Sequence, residues 1–570
     1  MPARLGYNLA NAWIGREPMA GKRQPDPIPA GTARTLGAAQ PAPPTRASEA
    51  NASNVGLLGR FAGRSQTIWF WAGLLGVITL ALGMQAWLYL SQVYWVSPDE
   101  SGRIEQAWAW TSFSLPHDWL KGLMGIWPPL PKVLTGLALR YVNADLFLTP
   151  RALTALFGLL AYGGFLLLAH ELFESRPVTL AAGLLAALYS HRVVLSVVPL
   201  VEIQYIAWLL WGQYFALLGI KRGRPWCHLA AAACFSLAMM VRYEAWFFGG
   251  IYYLLLLGQV FTGRRRVPRW VAGACAALLA AFPIFWVTLY TVYTGKPLGF
   301  FQNTVDMYMG TMGNSLQKNF SNSVFYQFFR ENLKQLNLLG LIGVLIWVRR
   351  AGMPRRWLWI PLGSYLIIGA MGVMGKALPT HNFWRISSIW GITLIPFTAA
   401  VCVRGIPARL SLGRRLGLGR AGVALALLAA LAGLFLRDTN ARRELHRAAP
   451  DVVHTGNFIR AIMTTAKRNG EKPFRVMIER NPDWDFIQIE MMARNFSRCV
   501  LNNNFDPRNL CPPIQDPQRA RYLAKLKADS FRLLVFRGAA FKKNIMTYPG
   551  IRPLRRFGSY MVFELASPSK

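Results

Sequence analysis

The hydrophobic residues of the chain are gathered into long apolar blocks that alternate with shorter polar segments. The blocks lie at about residues 67–96, 151–171, 178–197, 203–220, 227–241, 245–262, 271–293, 334–348, 358–375, 386–403 and 421–437. A helix of about 20 apolar residues crosses the hydrocarbon core of a bilayer. The pattern therefore predicts an α-helical polytopic membrane protein with about 11 spans.

Composition agrees with this pattern. Of the 570 residues, 53% are hydrophobic and only 16% are charged, whereas soluble globular proteins contain about 25% charged residues. A formal net charge of +37 is also typical of nucleic-acid-binding proteins. Here, however, many of the basic residues cluster between apolar blocks, as they do in the cytoplasmic loops of membrane proteins. We therefore do not expect nucleic acid as a partner.

The basic clusters also predict the orientation of the chain. When the apolar blocks are counted as alternating spans, four clusters fall on the same side, at 221–224, 264–269, 349–356 and 404–420. Short loops rich in Lys and Arg face the cytoplasm. We thus expect a multi-pass protein of the cell membrane with a cytoplasmic N-terminus and an extracytoplasmic C-terminus. The stretch 127–142 is too short for a span and is predicted to lie on the outer leaflet as an interfacial helix.

The two ends of the chain differ from its apolar middle. Residues 1–65 are rich in Ala, Pro, Gly and Arg without apolar periodicity, which predicts a disordered cytoplasmic tail. Residues 66–437 form the transmembrane domain. Residues 438–570 predict a small extracytoplasmic α/β domain, with candidate strands at 474–478, 533–536 and 559–564 and candidate helices at 453–468 and 518–529. In that domain, Cys499 and Cys511 either form a disulfide in an oxidising compartment or remain free thiols.

Charged residues close to lipid are costly, so they are candidates for function. In the predicted orientation, the unusual polar residues at the outer ends of the apolar blocks gather on one side. They are Asp99, Glu100, His191, Arg192, Glu202, Arg242, Tyr243, Glu244, Lys376, His381 and Arg385. Each also has a structural interpretation, such as helix capping by the first two carboxylates, an ion pair between Arg242 and Glu244, or anchoring at the interface.

The order of these features resembles the GT-C superfamily of membrane glycosyltransferases, of the protein O-mannosyltransferase and aminoarabinose-transferase type. The resemblance rests on the Pro-Asp-Glu motif at 98–100, on Trp-Pro-Pro-Leu at 127–130 where that type has His-Pro-Pro-Leu, and on the run from Pro150 and Arg151 to Glu202. It covers about residues 67–300. It implies that 66–437 is a GT-C-like catalytic domain.

The resemblance also implies a reaction. A hexosyl- or pentosyltransferase of this kind moves a sugar from a polyprenyl-phosphate donor to an acceptor hydroxyl on a glycan, lipid or protein, with inversion, at the outer face of the membrane. Asp99 would be the general base with Glu100 in support. The remaining candidates would bind substrate, and their cations would hold the phosphate. Phosphate leaves without an acid, and the sequence has no transition-metal ligand spacing, so we expect no obligatory cofactor and disfavour a divalent metal.

Three alternatives stay open at this stage, and one of them is a membrane scaffold without catalytic activity. A polysaccharide polymerase or ligase would use a diphosphate-linked glycan in place of a monosaccharyl lipid phosphate. A transporter or flippase would show internal repeats and helices broken at the midplane, and the sequence shows no clear repeat.

The predicted orientation can be tested by cysteine accessibility. A cysteine introduced near Lys570 should react with a membrane-impermeant thiol reagent in intact cells, because an odd number of spans leaves this end outside. Labelling that requires permeabilised cells would show that the span count is wrong.

Overall fold

A computed structural model describes the chain over residues 46–94, 99–111, 116–125, 127–262, 267–303, 324–334, 337–349, 355–373, 383–404, 420–478, 499–500, 528–537 and 551–565, with isolated residues between 489 and 526. The chain forms two compact units, Met1–Gln66 and Thr67–Lys570. In the first unit, the described residues belong to helix α1 (Arg46–Leu90). The helix thus begins within the predicted tail.

The larger unit is mainly helical. After α1 its helices are α2 (Asp99–Thr111), α3 (Pro116–Leu123), α4 (Leu130–Tyr141), α5 (Leu148–Phe173), α6 (Arg176–Leu188), α7 (Ser190–Leu195), α8 (Glu202–Arg222), α9 (Pro225–Met239), α10 (Ala245–Thr262), α11 (Arg269–Thr294), α12 (Val324–Lys334), α13 (Leu339–Val348), α14 (Arg355–Val373), α15 (Phe383–Arg404), α16 (Arg420–His446) and α17 (Pro450–Arg468). Each predicted apolar block coincides with one of these helices or, at 178–197, with two.

Several helices are suited to crossing a bilayer. In the described part of the chain, seven helices are long and apolar enough to span a membrane, and α6, α9 and α13 are shorter apolar helices. The prediction of a polytopic helical membrane protein is confirmed. Helix α8 packs against both α5 and α9, and these helices bury apolar side chains such as Phe165, Leu209 and Phe235.

Two boundaries differ from the sequence pattern. The block predicted at 178–197 is divided, because Tyr189 is extended (φ −64°, ψ 112°) between α6 and α7. The last apolar block was expected to end at residue 437, but α16 continues to His446. Its final turns therefore carry charged side chains, including Asp438 and Arg442, which are paired within the protein.

Three short helices, α2 to α4, separate α1 from α5. Helix α4 has 12 residues and is about 18 Å long, which is shorter than the hydrocarbon core of about 30 Å. Such a length fits a helix that lies on the membrane, as the sequence predicts. Helix α4 packs against α2 at Gly136, where a Cβ atom would lie 2.8 Å from the Trp110 ring and 3.0 Å from the Ala107 carbonyl oxygen.

The C-terminal region contains a five-stranded sheet in the order β2-β1-β3-β5-β4. Its strands are β1 (Arg475–Ile478), β2 (Cys499–Val500), β3 (Phe531–Arg537), β4 (Ile551–Phe557) and β5 (Tyr560–Leu565). Strand β1 pairs in parallel with β2 and β3, whereas β5 pairs antiparallel with β3 and β4. The predicted α/β domain is confirmed, although β2 and β4 were not predicted. Cys511 and most of the helix predicted at 518–529 lie outside the described residues, so the disulfide stays a prediction.

Gly136 offers a test of the packing between α2 and α4. The Gly136→Leu variant should lose about 1–3 kcal/mol of stability, because the added side chain must displace Trp110 and backbone atoms of α2. Thermal unfolding in detergent measures this loss. The Gly250→Leu variant is a matched control, since a Cβ atom at Gly250 meets no heavy atom within 4 Å. Equal stability of both variants would contradict the close packing.

Candidate active site

Three helix N-termini and one turn between helices bring charged side chains to one place. Asp99 begins α2, Glu202 begins α8, and Arg385 lies in the first turn of α15. Arg242 and Glu244 lie in the turn between α9 and α10. Helices α8, α10 and α15 contain candidate spans, and the ends of such helices are the positions where ionisable groups are tolerated.

These side chains form a row of alternating charge. Arg385 Nη2 donates to Asp99 Oδ2 at 2.8 Å, and Arg385 Nε lies 3.9 Å from Glu202 Oε1. The same Glu202 oxygen accepts from Arg242 Nη1 at 2.8 Å. Arg242 also forms a bidentate salt bridge with Glu244, in which Nη2 lies 2.7 Å from Oε1 and Nε lies 3.1 Å from Oε2. The row is called the ion-pair chain below and comprises Asp99, Arg385, Glu202, Arg242 and Glu244.

Exposure distinguishes the carboxylates of this region. The Glu202 side chain is 1% exposed and that of Glu244 is 8% exposed, whereas 33% of the Asp99 side chain remains accessible. Glu100, the neighbour of Asp99, is completely buried. Asp99 is thus the carboxylate best able to meet a substrate. Burial raises the pKa of Asp99, but the positive charges of Arg103 and Arg385 outweigh this effect and lower it below its usual value.

Arg103 is a further cation of this region. It lies one turn after Asp99 on α2, and its guanidinium carbon is 4.5 Å from the centre of the Trp127 ring. Burial lowers the pKa of Arg103, while the carboxylates of Glu202 and Asp99 raise it. Among the described residues, its Nε and Nη1 atoms have no hydrogen-bond partner. Sequence reasoning did not select Arg103, although its spacing of four residues from Asp99 on a helix was a usable signal.

A pocket lies beside the ion-pair chain and is lined by Arg103, Gln106, Trp127, Lys132 and Gln204, together with apolar groups. Lys132 Nζ donates to the carbonyl oxygens of Gly122, Leu123 and Met124 at 2.9 to 3.3 Å. Burial lowers the pKa of Lys132 to about 8. At neutral pH the lining of the pocket therefore carries two cations, and one of them, Arg103, lies over the Trp127 ring.

Tyr243 has aromatic surroundings, although its neighbours in sequence belong to the ion-pair chain. Its hydroxyl accepts a hydrogen bond from Trp286 Nε1 at 3.2 Å, and its ring stacks on Phe300 at 5.1 Å between centroids. Tyr290, from the same helix as Trp286, donates to the Gly125 carbonyl at 2.6 Å. These aromatic groups connect α11 with the segment before α4. Tyr243 thus belongs to an aromatic cluster beside the ion-pair chain.

Other candidates lie elsewhere. Arg192 is 1% exposed and donates to the Ala186 and Ala187 carbonyl oxygens at 2.7 and 2.8 Å. It therefore satisfies the free C-terminal carbonyls of α6, where the apolar block divides. In the described part of the chain, it makes no hydrogen bond or ion pair to the ion-pair chain. Lys376 and His381 lie outside the described residues.

His191 belongs to a second charged cluster, formed by Ser190, His191, Glu331, Asp438 and Arg442. Arg442 Nη2 donates to His191 Nε2 at 3.1 Å and also to Glu331. Arg442 Nε lies 3.2 Å from both Ser190 Oγ and Asp438 Oδ2. The cluster joins α7, α12 and α16. Sequence reasoning missed Glu331, Asp438 and Arg442, although charges in the last turns of an apolar helix are an available signal.

Within the residues described by the structure, no group of three or more His, Cys, Asp or Glu side chains is arranged to hold a metal ion.

Comparison with known proteins identifies the fold. No protein-family profile and no curated protein matches the sequence. Among solved structures, ArnT from Cupriavidus metallidurans bound to undecaprenyl phosphate aligns with a TM-score of 0.53 and 16% identity, over 87% of this chain and 99% of that chain. The apo state of the same protein aligns with a TM-score of 0.54 and 15% identity, over 89% and 100%. The oligosaccharyltransferase AglB from Archaeoglobus fulgidus aligns with a TM-score of 0.48 and 14% identity, over 81% and 69%.

At such low identity, the alignments with ArnT establish the fold alone. They extend over nearly the whole length of ArnT and most of this chain. The resemblance inferred from the order of sequence motifs is confirmed at this level: the chain has the GT-C fold.

The ion-pair chain makes a prediction about stability. The Arg242→Ala variant should lose about 3–5 kcal/mol, because Glu202 and Glu244 then remain buried without this partner. Thermal unfolding in detergent measures the loss. The Arg222→Ala variant is the control: Arg222 contacts Glu171 at 2.7 Å but is 48% exposed, so about 0–1 kcal/mol is expected. Similar losses in the two variants would contradict the ion-pair chain.

Proposed function

We propose that this chain is a glycosyltransferase that moves a hexose or pentose from a polyprenyl-phosphate donor to an acceptor hydroxyl, with inversion at the anomeric carbon. The observation that carries the proposal is Asp99, a partly exposed carboxylate held by Arg385 next to a pocket that contains Arg103 and Lys132. A base and phosphate-binding cations are the two groups that this reaction requires.

The fold adds independent support. A structure with the same fold, ArnT, was determined bound to undecaprenyl phosphate, which is a polyprenyl phosphate. For this chain, we assign the donor phosphate to the pocket beside the ion-pair chain. There Arg103 has two nitrogen atoms without a hydrogen-bond partner among the described residues. Charge-assisted hydrogen bonds to phosphate are among the strongest in proteins. Lys132 adds a second positive charge to the lining of the pocket, while its ammonium group stays bonded to three backbone carbonyls.

The transfer step then follows from the positions of these groups. Asp99 takes the proton of the acceptor hydroxyl, and the acceptor oxygen forms a bond to the anomeric carbon. The bond between that carbon and the phosphate oxygen breaks, and its electron pair leaves with polyprenyl phosphate. Arg103 and Arg385 stabilise the charge that develops on the leaving phosphate.

The ion pair between Asp99 and Arg385 has a consequence for this step. While the pair is intact, Asp99 is ionised but weakly basic, because its pKa is lowered. A bound phosphate competes for Arg385, so donor binding loosens the hold on Asp99. We propose that the base becomes fully effective only when the donor is present. The acceptor hydroxyl belongs to a glycan, lipid or protein.

The proposed location follows from the charge pattern of the loops. The ion-pair chain lies at the helix ends that the positive-inside rule assigns to the outer face. We therefore propose that transfer takes place outside the cytoplasm, and that the C-terminal α/β domain of residues 438–570 lies on the same side.

The base assignment predicts the behaviour of the Asp99→Asn variant. Turnover should fall by about 10²- to 10⁴-fold, because asparagine has similar size but cannot accept the proton. Binding of polyprenyl phosphate should remain. Turnover is measured as release of polyprenyl phosphate from a panel of polyprenyl-phosphate sugars by purified protein.

The Asp145→Asn variant is the matched control. Asp145 Oδ1 accepts hydrogen bonds from the amides of Phe147 and Leu148 at 2.9 Å, and asparagine is an equally good cap. Its turnover should be unchanged. Normal turnover of Asp99→Asn would refute the assignment of the base. Activity only with diphosphate-linked glycans would instead identify a polymerase or ligase.

A further inference from the structure

The segment that leads into the candidate base is held from two sides. Helix α1 ends at Leu90, and residues 91–94 continue towards Asp99 at the start of α2. Five residue steps separate Tyr94 from Asp99, so the two Cα atoms lie at most about 18 Å apart. The position of Tyr94 therefore limits the position of Asp99. Both contacts of this segment are made by groups that have no part in the transfer step.

Arg151 makes the contacts on the first side of this segment. Its Nη2 donates to the carbonyl oxygen of Tyr94 at 2.7 Å, and its Nη1 donates to that of Phe147 at 2.8 Å. The guanidinium carbon lies 3.8 Å from the centre of the Phe147 ring and 5.6 Å from that of Tyr94. Arg151 is only 3% exposed. A buried cation that donates to backbone carbonyls fixes the chain at a defined point, because each bond is directional.

The start of the C-terminal domain makes the contacts on the second side of this segment. The amide of Ala448 donates to the Gln92 carbonyl at 3.0 Å, and Val93 forms an antiparallel bridge with Arg447. Tyr94 packs edge-on against Phe147 at 5.1 Å between centroids. Phe147 in turn belongs to the buried apolar cluster of the C-terminal domain. The segment is thus clamped between α5 and residues 447–448.

We infer that Arg151 is a positioning residue for Asp99: it holds the Tyr94 carbonyl so that the carboxylate stays at the pocket, with residues 447–448 as the opposite side of the clamp. The inference rests on the proposed function. It also gives the C-terminal domain a role, since the fold of that domain then determines where the base stands. A displacement of about 1 Å at a reacting group is enough to reduce turnover by about 10²-fold.

The first test compares Arg151→Met with wild-type protein. Methionine has similar length and fits an apolar site, but it cannot donate to the two carbonyl groups. We expect kcat to fall by about 10- to 100-fold while the Kd for polyprenyl phosphate stays within about twofold. Arg151→Lys should recover part of kcat, because an ammonium group can still bind one carbonyl. Unchanged kcat per folded molecule in Arg151→Met would overturn the inference.

A core variant separates positioning from stability. Leu168→Ala removes a completely buried side chain from the same helix, α5, about 25 Å further along its axis. It should lower the unfolding temperature but keep kcat per folded molecule. If Arg151→Met and Leu168→Ala reduce kcat equally at equal loss of stability, Arg151 is only structural.

A double variant tests whether Arg151 acts through Asp99. In the Asp99→Asn background, Arg151→Met should cause no further loss of turnover, because residues that act as a unit are not additive. A full additional loss of 10- to 100-fold would show that Arg151 acts by another route.

The clamp can also be opened from its other side, which avoids any change at Arg151. Ala448→Pro removes the amide that donates to Gln92 and should reduce kcat as Arg151→Met does. Ala449→Pro is the control, because Ala449 is exposed and its φ of −61° already suits proline. Equal kcat values for the two proline variants would contradict a clamp that includes residues 447–448.

Amide hydrogen exchange distinguishes a failure of this inference from a failure of the proposed function. Arg151→Met should speed exchange in residues 91–94 and 99–103, and Leu168→Ala should not. If wild-type protein released no polyprenyl phosphate from any donor, the proposed function would fail while this readout still reported on the clamp. Unchanged exchange in Arg151→Met would overturn the clamp whatever the activity.

Discussion

The structure depends on the pairing of charges that the helix ends remove from water. Burial of an isolated carboxylate or guanidinium costs several kcal/mol, and only close partners offset that cost. Glu202 is almost fully buried and lies between Arg242 and Arg385. Since these residues belong to α8, to the turn between α9 and α10, and to α15, their pairing fixes three separate parts of the chain at one point. The pocket and Asp99 are arranged around that point.

Much of this arrangement could be predicted from the sequence. Each apolar block became one helix or, at 178–197, two helices, because hydrophobic length is decisive for a chain that must satisfy its backbone hydrogen bonds in lipid. Five of the proposed site residues meet in the ion-pair chain, since ionisable groups at the ends of apolar helices gather at the interface on one side. The strands β1, β3 and β5 were also predicted, because their apolar residues lie in short continuous runs.

The other contacts and the remaining strands depend on residues that are distant in the sequence, and the local sequence pattern does not reveal them. Arg192 and Arg242 look alike in sequence, as each is an arginine near the end of an apolar block. In the structure, Arg192 binds the carbonyls at the end of α6, whereas Arg242 binds two carboxylates. Strand β4 was not predicted, because its arginines at 552, 555 and 556 interrupt the alternation of apolar and polar residues. Its pairing with β5 is what makes it a strand.

The balance of charge links structure to reaction. In the ion-pair chain and Arg103, three carboxylates face three guanidinium groups, so the formal charges of these six groups cancel before a substrate enters, and Lys132 adds one positive charge to the pocket beside them. An incoming phosphate adds negative charge, and the cations must then divide their contacts between phosphate and carboxylates. Arg242 is held by two carboxylates at 2.8 and 2.7 Å and is the least free to move. Among the carboxylates of the ion-pair chain, Arg385 contacts Asp99 at 2.8 Å and lies farther from Glu202, at 3.9 Å. When a phosphate binds, we therefore expect the contacts of the Asp99–Arg385 pair, which contains the base, to change most.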